Sequence, residues 1–169
     1  MTPARLLLKG SCHCGAVRFS LKSAHIYPYQ RCYCSICRKT HGGGGYAINL
    51  SGDARKLKVQ GRENIQIYHA IMRERGRRSY RSSAERHFCK RCGSALWLYS
   101  PEWPELIHPF ASAIDTPLPK TPQSTHLMLQ FKAPWVVPHF APKDKKFRVY
   151  PEESIEDWHK RLRLENVDD

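Results

Sequence analysis

The grouping of the cysteines constrains this chain more than any other feature of its sequence. All seven cysteines fall into three short clusters, with only one or two residues between neighbouring thiols. The clusters are Cys12/Cys14, Cys32/Cys34/Cys37 and Cys89/Cys92. Cysteines that only filled a core would follow the period of a strand or a helix instead. Close spacing of this kind is typical of metal ligands, because successive thiolates can turn toward one ion.

A disulfide framework is the main alternative for these thiols, and three observations argue against it. The number of cysteines, seven, is odd. The apolar run 6–8 is too short for the core of a signal peptide, and no run approaches the roughly 18 residues of a membrane span. A chain of 169 residues can also bury a hydrophobic core without covalent cross-links. We therefore expect reduced cysteines and a cytoplasmic protein.

Coordination numbers suggest how the thiols divide between two zinc ions. A structural zinc is closed by four protein ligands, whereas a catalytic zinc keeps three and leaves one position open. The simplest partition has a closed site at Cys12, Cys14, Cys89 and Cys92, and an open site at Cys32, Cys34 and Cys37. The sequence alone leaves other groupings open, including a histidine as an eighth ligand that would make both sites purely structural.

Alternation of apolar and polar residues predicts an all-β domain of short strands. The predicted strands lie at 17–22, 46–50, 64–70, 95–100, 106–113 and 125–131. The first and last cysteine pairs then fall in turns of two hairpins. A closed metal site would join these turns and clamp the sheets together.

One helix is predicted, near the end of the chain. Ser154 and Asp157 resemble a capping box, and Ile155, Trp158 and Leu162 fall on one helical face. We therefore expect a zinc-binding β domain over 1–150 and a helical tail over 151–169.

Positive charge is concentrated in the half of the chain that holds the cysteines. The chain has 28 Lys and Arg against 15 Asp and Glu, a formal charge of +13. The run 73–91 alone has eight basic and two acidic residues, with Tyr80 and Phe88 between them. One alternative function is therefore a non-catalytic zinc protein that binds nucleic acid or a protein partner through this basic face. Zinc thiolates also need positive neighbours, so we do not expect nucleic acid to be the partner.

Several stretches of the sequence resemble a known family. They are 10–19 (GSCHCGAVRF), 32–39 (CYCSICRK), 82–83 (SS) and 86–94 (RHFCKRCGS), with weaker similarity at 113–115 and 132–135. In the order and spacing of all seven cysteines, the chain resembles the glutathione-dependent formaldehyde-activating enzyme family, which includes centromere protein V. The resemblance covers residues from about 10 to 135.

The resemblance implies a fold, a cofactor and a reaction. The implied fold is a tent-like arrangement of small antiparallel sheets with two zinc sites, and the family's division of ligands matches the partition above. The implied activity is that of a carbon–sulfur lyase, such as the condensation of glutathione with formaldehyde to S-hydroxymethylglutathione. Cys32, Cys34 and Cys37 are then the catalytic cysteines, and the expected partners are a small thiol and an aldehyde.

Basic residues next to the open site are candidates for binding the two carboxylates of glutathione. Arg38 and Lys39 directly follow Cys37 and are the nearest in sequence. His41, next to the glycines, is a candidate proton donor to the developing alkoxide, but we interpret it as a loop histidine without a catalytic role. The glycine stretch 42–45 departs from the family pattern and predicts an unusually mobile or open wall of the site.

Overall fold

The computed structural model of the chain describes residues 6–41 and 43–165. Residues 1–5 and 166–169 of the predicted domain and tail, and Gly42 of the glycine stretch, lie outside the described residues. The first seven strands are β1 (Leu6–Ser11), β2 (Arg18–Ser23), β3 (Gln30–Cys32), β4 (Ala47–Ile48), β5 (Gly52–Asp53), β6 (Lys58–Gln60) and β7 (Ile65–Tyr68). The next seven are β8 (Ile71–Met72), β9 (Tyr80–Arg81), β10 (Glu85–Cys89), β11 (Ala95–Tyr99), β12 (Leu106–Pro109), β13 (Thr125–Leu127) and β14 (Lys145–Lys146).

Two short α-helices accompany the strands in the described part of the chain. They are α1 (Ser35–His41) and α2 (Ile155–Arg161). Helix α2 is the predicted C-terminal helix, whereas α1 was not predicted. Neither helix has the length and apolar character needed to cross a membrane.

The strands form four small sheets, which confirms the predicted fold class. The strand orders are β1-β2-β6, β5-β12-β11-β10-β7, β14-β13-β3-β4 and β8-β9. Almost all neighbouring strands are antiparallel. The exception is β13, which lies parallel to both β3 and β14. This parallel pairing brings the segment after β13 close to the cysteine-rich segment after β3.

The main core lies between the three-stranded and five-stranded sheets. Its buried members include Leu8, Phe19, Leu21, Leu96, Trp97 and Ile107. The aromatic rings of Phe19 on β2 and Trp97 on β11 meet edge to face, with centroids 5.1 Å apart. The predicted alternation along β2 therefore places its apolar side chains against the facing sheet.

Helix α2 is capped as predicted and anchored by one aromatic side chain. The hydroxyl of Ser154 accepts a hydrogen bond from the backbone N–H of Asp157 at 3.0 Å. Trp158 is fully buried, and its ring stacks on Tyr29 with centroids 3.8 Å apart and planes 9° apart. This stack fixes α2 against the segment that leads into β3.

His159 is the second buried anchor of α2, and its hydrogen bonds require the neutral ring. Its Nδ1 lies 2.7 Å from the carbonyl oxygen of Ile155, which can only accept. Its Nε2 therefore keeps a lone pair, which accepts the backbone N–H of Tyr27 at 3.2 Å. Burial is the largest cause that lowers the pKa of His159 to about 4, and the neighbouring His25 also acts to lower it.

We expect the docking of α2 to make stability depend on pH. The pKa of His159 is below its ordinary value of 6.5 in the fold, so the unfolded chain takes up the proton first as pH falls. The buried, neutral His159 contributes fully to the free energy of unfolding above about pH 6.5. About 2 kcal/mol of this free energy is lost by pH 5. Urea denaturation at several pH values should show a shallower slope for His159→Gln than for wild type. The exposed His139, changed to Gln, is the control, and equal slopes in all three proteins would contradict the assignment.

Candidate metal centres

Four cysteines from two distant turns meet in the structure, and we name them the four-cysteine centre. They are Cys12, Cys14, Cys89 and Cys92, and their Sγ atoms all lie within 4.8 Å of one another. The Sγ of Cys14 lies 3.6 Å from that of Cys12 and 3.8 Å from that of Cys89. A tetrahedral ion about 2.3 Å from each sulfur sets neighbouring sulfurs about 3.8 Å apart. The donor set therefore fits one closed metal site.

The turn that carries Cys89 and Cys92 depends on a glycine. Gly93 has a φ of 78°, and its N–H donates to the carbonyl of Cys89 at 2.7 Å. A side chain would be strained in this left-handed conformation, so glycine is required for the turn. The hydroxyl of Ser94 next to Cys92 lowers the pKa of that thiol to about 5, which favours the thiolate that a metal binds.

The other three cysteines form a second, more local cluster, the three-cysteine centre. Cys32 ends β3, Cys34 lies just before α1, and Cys37 lies in the first turn of α1. Their Sγ atoms lie within 4.8 Å of one another, and within the described residues no fourth Cys, His, Asp or Glu joins them. The N–H of Cys37 donates to the Sγ of Cys34 at 3.3 Å. The cluster therefore fits a metal with three protein ligands.

An open metal site is expected to be more exposed to solvent than a closed one, but the two centres show the reverse. Cys14 and Cys92 of the four-cysteine centre are exposed, whereas Cys32 and Cys37 of the three-cysteine centre are buried. Only Cys34 of that centre is half-buried. Solvent exposure therefore does not mark the open site. The centres differ instead in the number of their ligands and in the sequence distance between those ligands.

The three-cysteine centre cannot ionise fully without positive charge nearby. Hydrogen bonds from Cys32 and Cys37 hold the pKa of Cys34 far below its ordinary value. Hydrogen bonds with Cys34 and Cys37, together with burial, raise the pKa of Cys32 strongly. Ionisation of one thiol therefore disfavours ionisation of the other two, and a nearby cation favours the thiolate form of all three.

Arg86 supplies a positive charge at this centre, and the sequence analysis did not select it. Its two terminal nitrogens, Nη1 and Nη2, lie 3.9 and 3.8 Å from the Sγ of Cys37. Arg86 belongs to β10, three residues before Cys89 of the other centre. The signal available in the sequence was its place in the family motif 86–94, but the contact between residues 49 positions apart follows from the tertiary fold.

A buried hydrogen-bonded chain fixes the backbone between two of the ligands. The hydroxyl of Tyr33, between Cys32 and Cys34, lies 2.9 Å from Nδ1 of His126. The Nε2 of His126 lies 3.0 Å from a carboxylate oxygen of Asp144, and His126 is fully buried. The backbone N–H of Tyr33 also donates to the carbonyl of Leu127 at 3.1 Å. The parallel pairing of β13 with β3 makes these contacts possible.

The predicted basic residues lie on α1, beside the three-cysteine centre in sequence. Lys39 is exposed and Arg38 is half-buried. Arg38 donates its backbone N–H to the carbonyl of Cys34 at 3.0 Å. Their contact with glutathione stays a prediction. In the run 73–91, Arg86 faces Cys37, while the arginines between β8 and β9 are exposed.

Two further interpretations from the sequence concern His41 and the glycine stretch that follows it. His41 is the last residue of α1 rather than a loop residue, and its ring packs edge to face on Phe110 at 3.9 Å between centroids. The described end of the glycine stretch is constrained by packing. Gly45 has a φ of 88°, and a Cβ there would lie 2.3 Å from Cγ2 of Val136. Close packing on the segment around Val136 explains Gly45, whereas Gly43 and Gly44 are exposed, so the mobile or open wall of the site stays a prediction.

We expect the two centres to differ in their effect on folding. Cys89 is fully buried and joins turns that lie 75 residues apart, whereas Cys34 belongs to a cluster within six residues. Cys89→Ser should lower the free energy of unfolding by at least about 4 kcal/mol or abolish folding. Cys34→Ser should keep the β-rich circular dichroism spectrum and lose one metal equivalent. Equal losses of structure in the two variants would contradict this assignment of roles.

Comparisons with known proteins place the chain in one family. The sequence model of the "glutathione-dependent formaldehyde-activating enzyme" family matches residues 7–130. A protein of Halomonas elongata is 59% identical over 160 residues, which are 95% of this chain and 99% of the relative. Its curated name gives it provisionally as a glutathione-dependent formaldehyde-activating enzyme. A crystal structure of a Rhodobacter sphaeroides protein is similar at a TM-score of 0.50 and 28% identity, over 66% of this chain and 91% of that one. This chain therefore belongs to the glutathione-dependent formaldehyde-activating enzyme family.

Proposed function

We propose that this protein is a zinc-dependent enzyme of the carbon–sulfur lyase type that joins glutathione to formaldehyde and cleaves the product, S-hydroxymethylglutathione. Membership of the family and the name of the Halomonas relative support this activity. The observation that carries the proposal is the three-cysteine centre. It gathers three thiols beside a guanidinium and has no fourth protein ligand in the described residues.

Sulfur-only donor sets of four and three cysteines favour zinc at both centres. Cys12, Cys14, Cys89 and Cys92 would hold the structural ion, and Cys32, Cys34 and Cys37 the catalytic one. When bound at the three-cysteine centre, zinc supplies the positive charge that keeps a fourth, substrate sulfur in its nucleophilic thiolate form.

Arg86 has two roles in this proposal. Three thiolates and one divalent ion leave a charge of −1, and the guanidinium 3.8 Å from Cys37 offsets it. The remaining N–H groups of Arg86 can donate to the aldehyde oxygen, where negative charge collects as the carbon–sulfur bond forms. The overall reaction joins the thiol sulfur to the carbonyl carbon, and the thiol proton ends on the former carbonyl oxygen.

Other residues of the chain bind and position the thiol in this proposal. Arg38 and Lys39 on α1 would bind the carboxylates of glutathione, as the sequence predicts. Tyr33, held by His126 and Asp144, keeps the loop between Cys32 and Cys34 in place. A fixed loop preserves the position of the sulfurs when the substrate thiol binds and leaves.

We expect glutathione to bind through its sulfur. S-methylglutathione keeps both carboxylates but has a blocked sulfur, so calorimetry of the zinc-loaded protein should show at least about tenfold weaker binding than for glutathione. Protein stripped of the metal of the three-cysteine centre should bind the two compounds alike. Equal affinities in the zinc-loaded protein would assign recognition to the carboxylates alone and contradict the proposed chemistry.

We expect Arg86 to be needed for the reaction more than for the fold. Arg86→Gln should slow the catalysed exchange between formaldehyde and S-hydroxymethylglutathione by roughly a hundredfold, because a donor to the developing charge is lost. Arg86→Lys should retain an intermediate rate. The measurement is ¹³C exchange NMR with labelled formaldehyde, alongside metal content and melting temperature. The exposed Arg81 on β9, changed to Gln, is the matched control, and equal rates for Arg81→Gln and Arg86→Gln would contradict the role.

A further inference from the structure

A cavity of about 300 Å³ is lined by Arg86 and His41, next to the three-cysteine centre. It is lined by the end of α1, by β7, β10 and β11, and by the segment after β12, and it is open to solvent on one side. Its lining is mostly apolar and includes Tyr68, Phe88, Ala95 and Phe110. Apolar clefts of this size, with a few polar groups in their walls, are typical of small-ligand sites.

Four of the lining residues are polar, namely Thr40, His41, Arg86 and His87, and two of them also contact Cys37. Arg86 lies against the Sγ of Cys37, and the Nδ1 of His41 lies 2.9 Å from the carbonyl oxygen of Cys37. Both side chains line the cavity. The cavity therefore adjoins the three-cysteine centre through these two side chains.

Of the two residues that contact Cys37, Arg86 donates hydrogen bonds and His41 offers an acceptor atom. The carbonyl of Cys37 can only accept, so the Nδ1 of His41 carries the proton and its Nε2 carries a lone pair. This Nε2 is buried and has no hydrogen-bond partner among the described residues. Arg86 can only donate. A hydroxyl group, which both donates and accepts, would satisfy the two residues together.

We infer that the enzyme also takes aldehydes with an apolar or aromatic substituent, which lies in this cavity. The inference rests on the proposed function and extends its substrate class. Formaldehyde has no carbon substituent and would leave the apolar walls around Tyr68, Phe88 and Phe110 unused. In the adduct of a larger aldehyde, the hydroxyl oxygen accepts from Arg86, and the hydroxyl proton is donated to the Nε2 of His41.

The reaction of such an aldehyde balances as it does for formaldehyde. The thiol sulfur donates an electron pair to the carbonyl carbon, and one carbon–sulfur bond forms. The π electrons of the carbonyl move to its oxygen, which receives the proton that the thiol lost. No oxidant or reductant takes part, and the reverse reaction returns the aldehyde and the thiol.

The test compares benzaldehyde with formaldehyde in wild type and in a variant with a smaller cavity. Ala95 on β11 lines the cavity, so Ala95→Phe should fill it. We expect this change to slow adduct formation between benzaldehyde and glutathione at least about tenfold, with the rate for formaldehyde changed less than about twofold. The control is Ala141→Phe, because Ala141 is exposed and does not line the cavity. Metal content is measured for each protein.

A binding measurement separates the cavity from the reaction. Benzyl alcohol cannot form the adduct, and ligand-observed NMR should detect its binding to wild type and Ala141→Phe but not to Ala95→Phe. If Ala95→Phe fails to fold, Tyr68→Ala replaces it, since Tyr68 is 43% exposed and its truncation widens the cavity. That variant should raise the rate for benzaldehyde relative to formaldehyde.

The outcomes distinguish failure of the further inference from failure of the proposed function. The inference would be overturned if benzyl alcohol did not bind wild type, or if the cavity variants changed the rates for both aldehydes equally. Catalysis with formaldehyde would still uphold the proposed function in that case. Binding of benzyl alcohol without catalysis of either aldehyde would overturn the proposed function, and with it the assignment of this cavity to an aldehyde. Selective loss of the reaction with benzaldehyde in Ala95→Phe supports both proposals.

Discussion

The contact between four cysteine sulfurs is the constraint on which the rest of this structure depends. It joins the turn after β1 to the turn after β10, with the sulfurs of Cys14 and Cys89 3.8 Å apart across 75 residues. The two turns belong to the two sheets that enclose the main core. A metal ion at this junction would therefore stabilise the packing of Phe19 against Trp97 as well as the turns.

The same strand connects this junction to the site of the proposed chemistry. Cys89 ends β10, and Arg86 lies three residues earlier on that strand. Fixing the end of β10 at the four-cysteine centre thus helps to place the guanidinium against Cys37 on α1. From the opposite side, the chain of Asp144, His126 and Tyr33 holds the ligand loop. The three-cysteine centre is local in sequence, but its surroundings come from three different parts of the fold.

Much of this arrangement follows from local patterns in the sequence. The cysteine spacing predicts the two clusters, alternation predicts the core side of β2, and the Ser154 cap predicts α2. Helix α1 was missed because its seven residues are too few to show a clear helical period. The closely spaced cysteines at its start and the glycine stretch after it also interrupt any apolar pattern. The parallel pairing of β13 and the contact of Arg86 with Cys37 depend on long-range packing, which no local pattern records.

The central claim is that the three-cysteine centre holds a zinc ion whose fourth ligand is the sulfur of the substrate. X-ray absorption at the zinc edge measures the sulfur ligands per ion directly. Centres with four and three protein sulfurs should average about 3.5 sulfurs per zinc, and saturating glutathione should raise the average to about 4. S-methylglutathione should leave it near 3.5. An average of 4 before glutathione is added, or no change after it is added, would contradict the account.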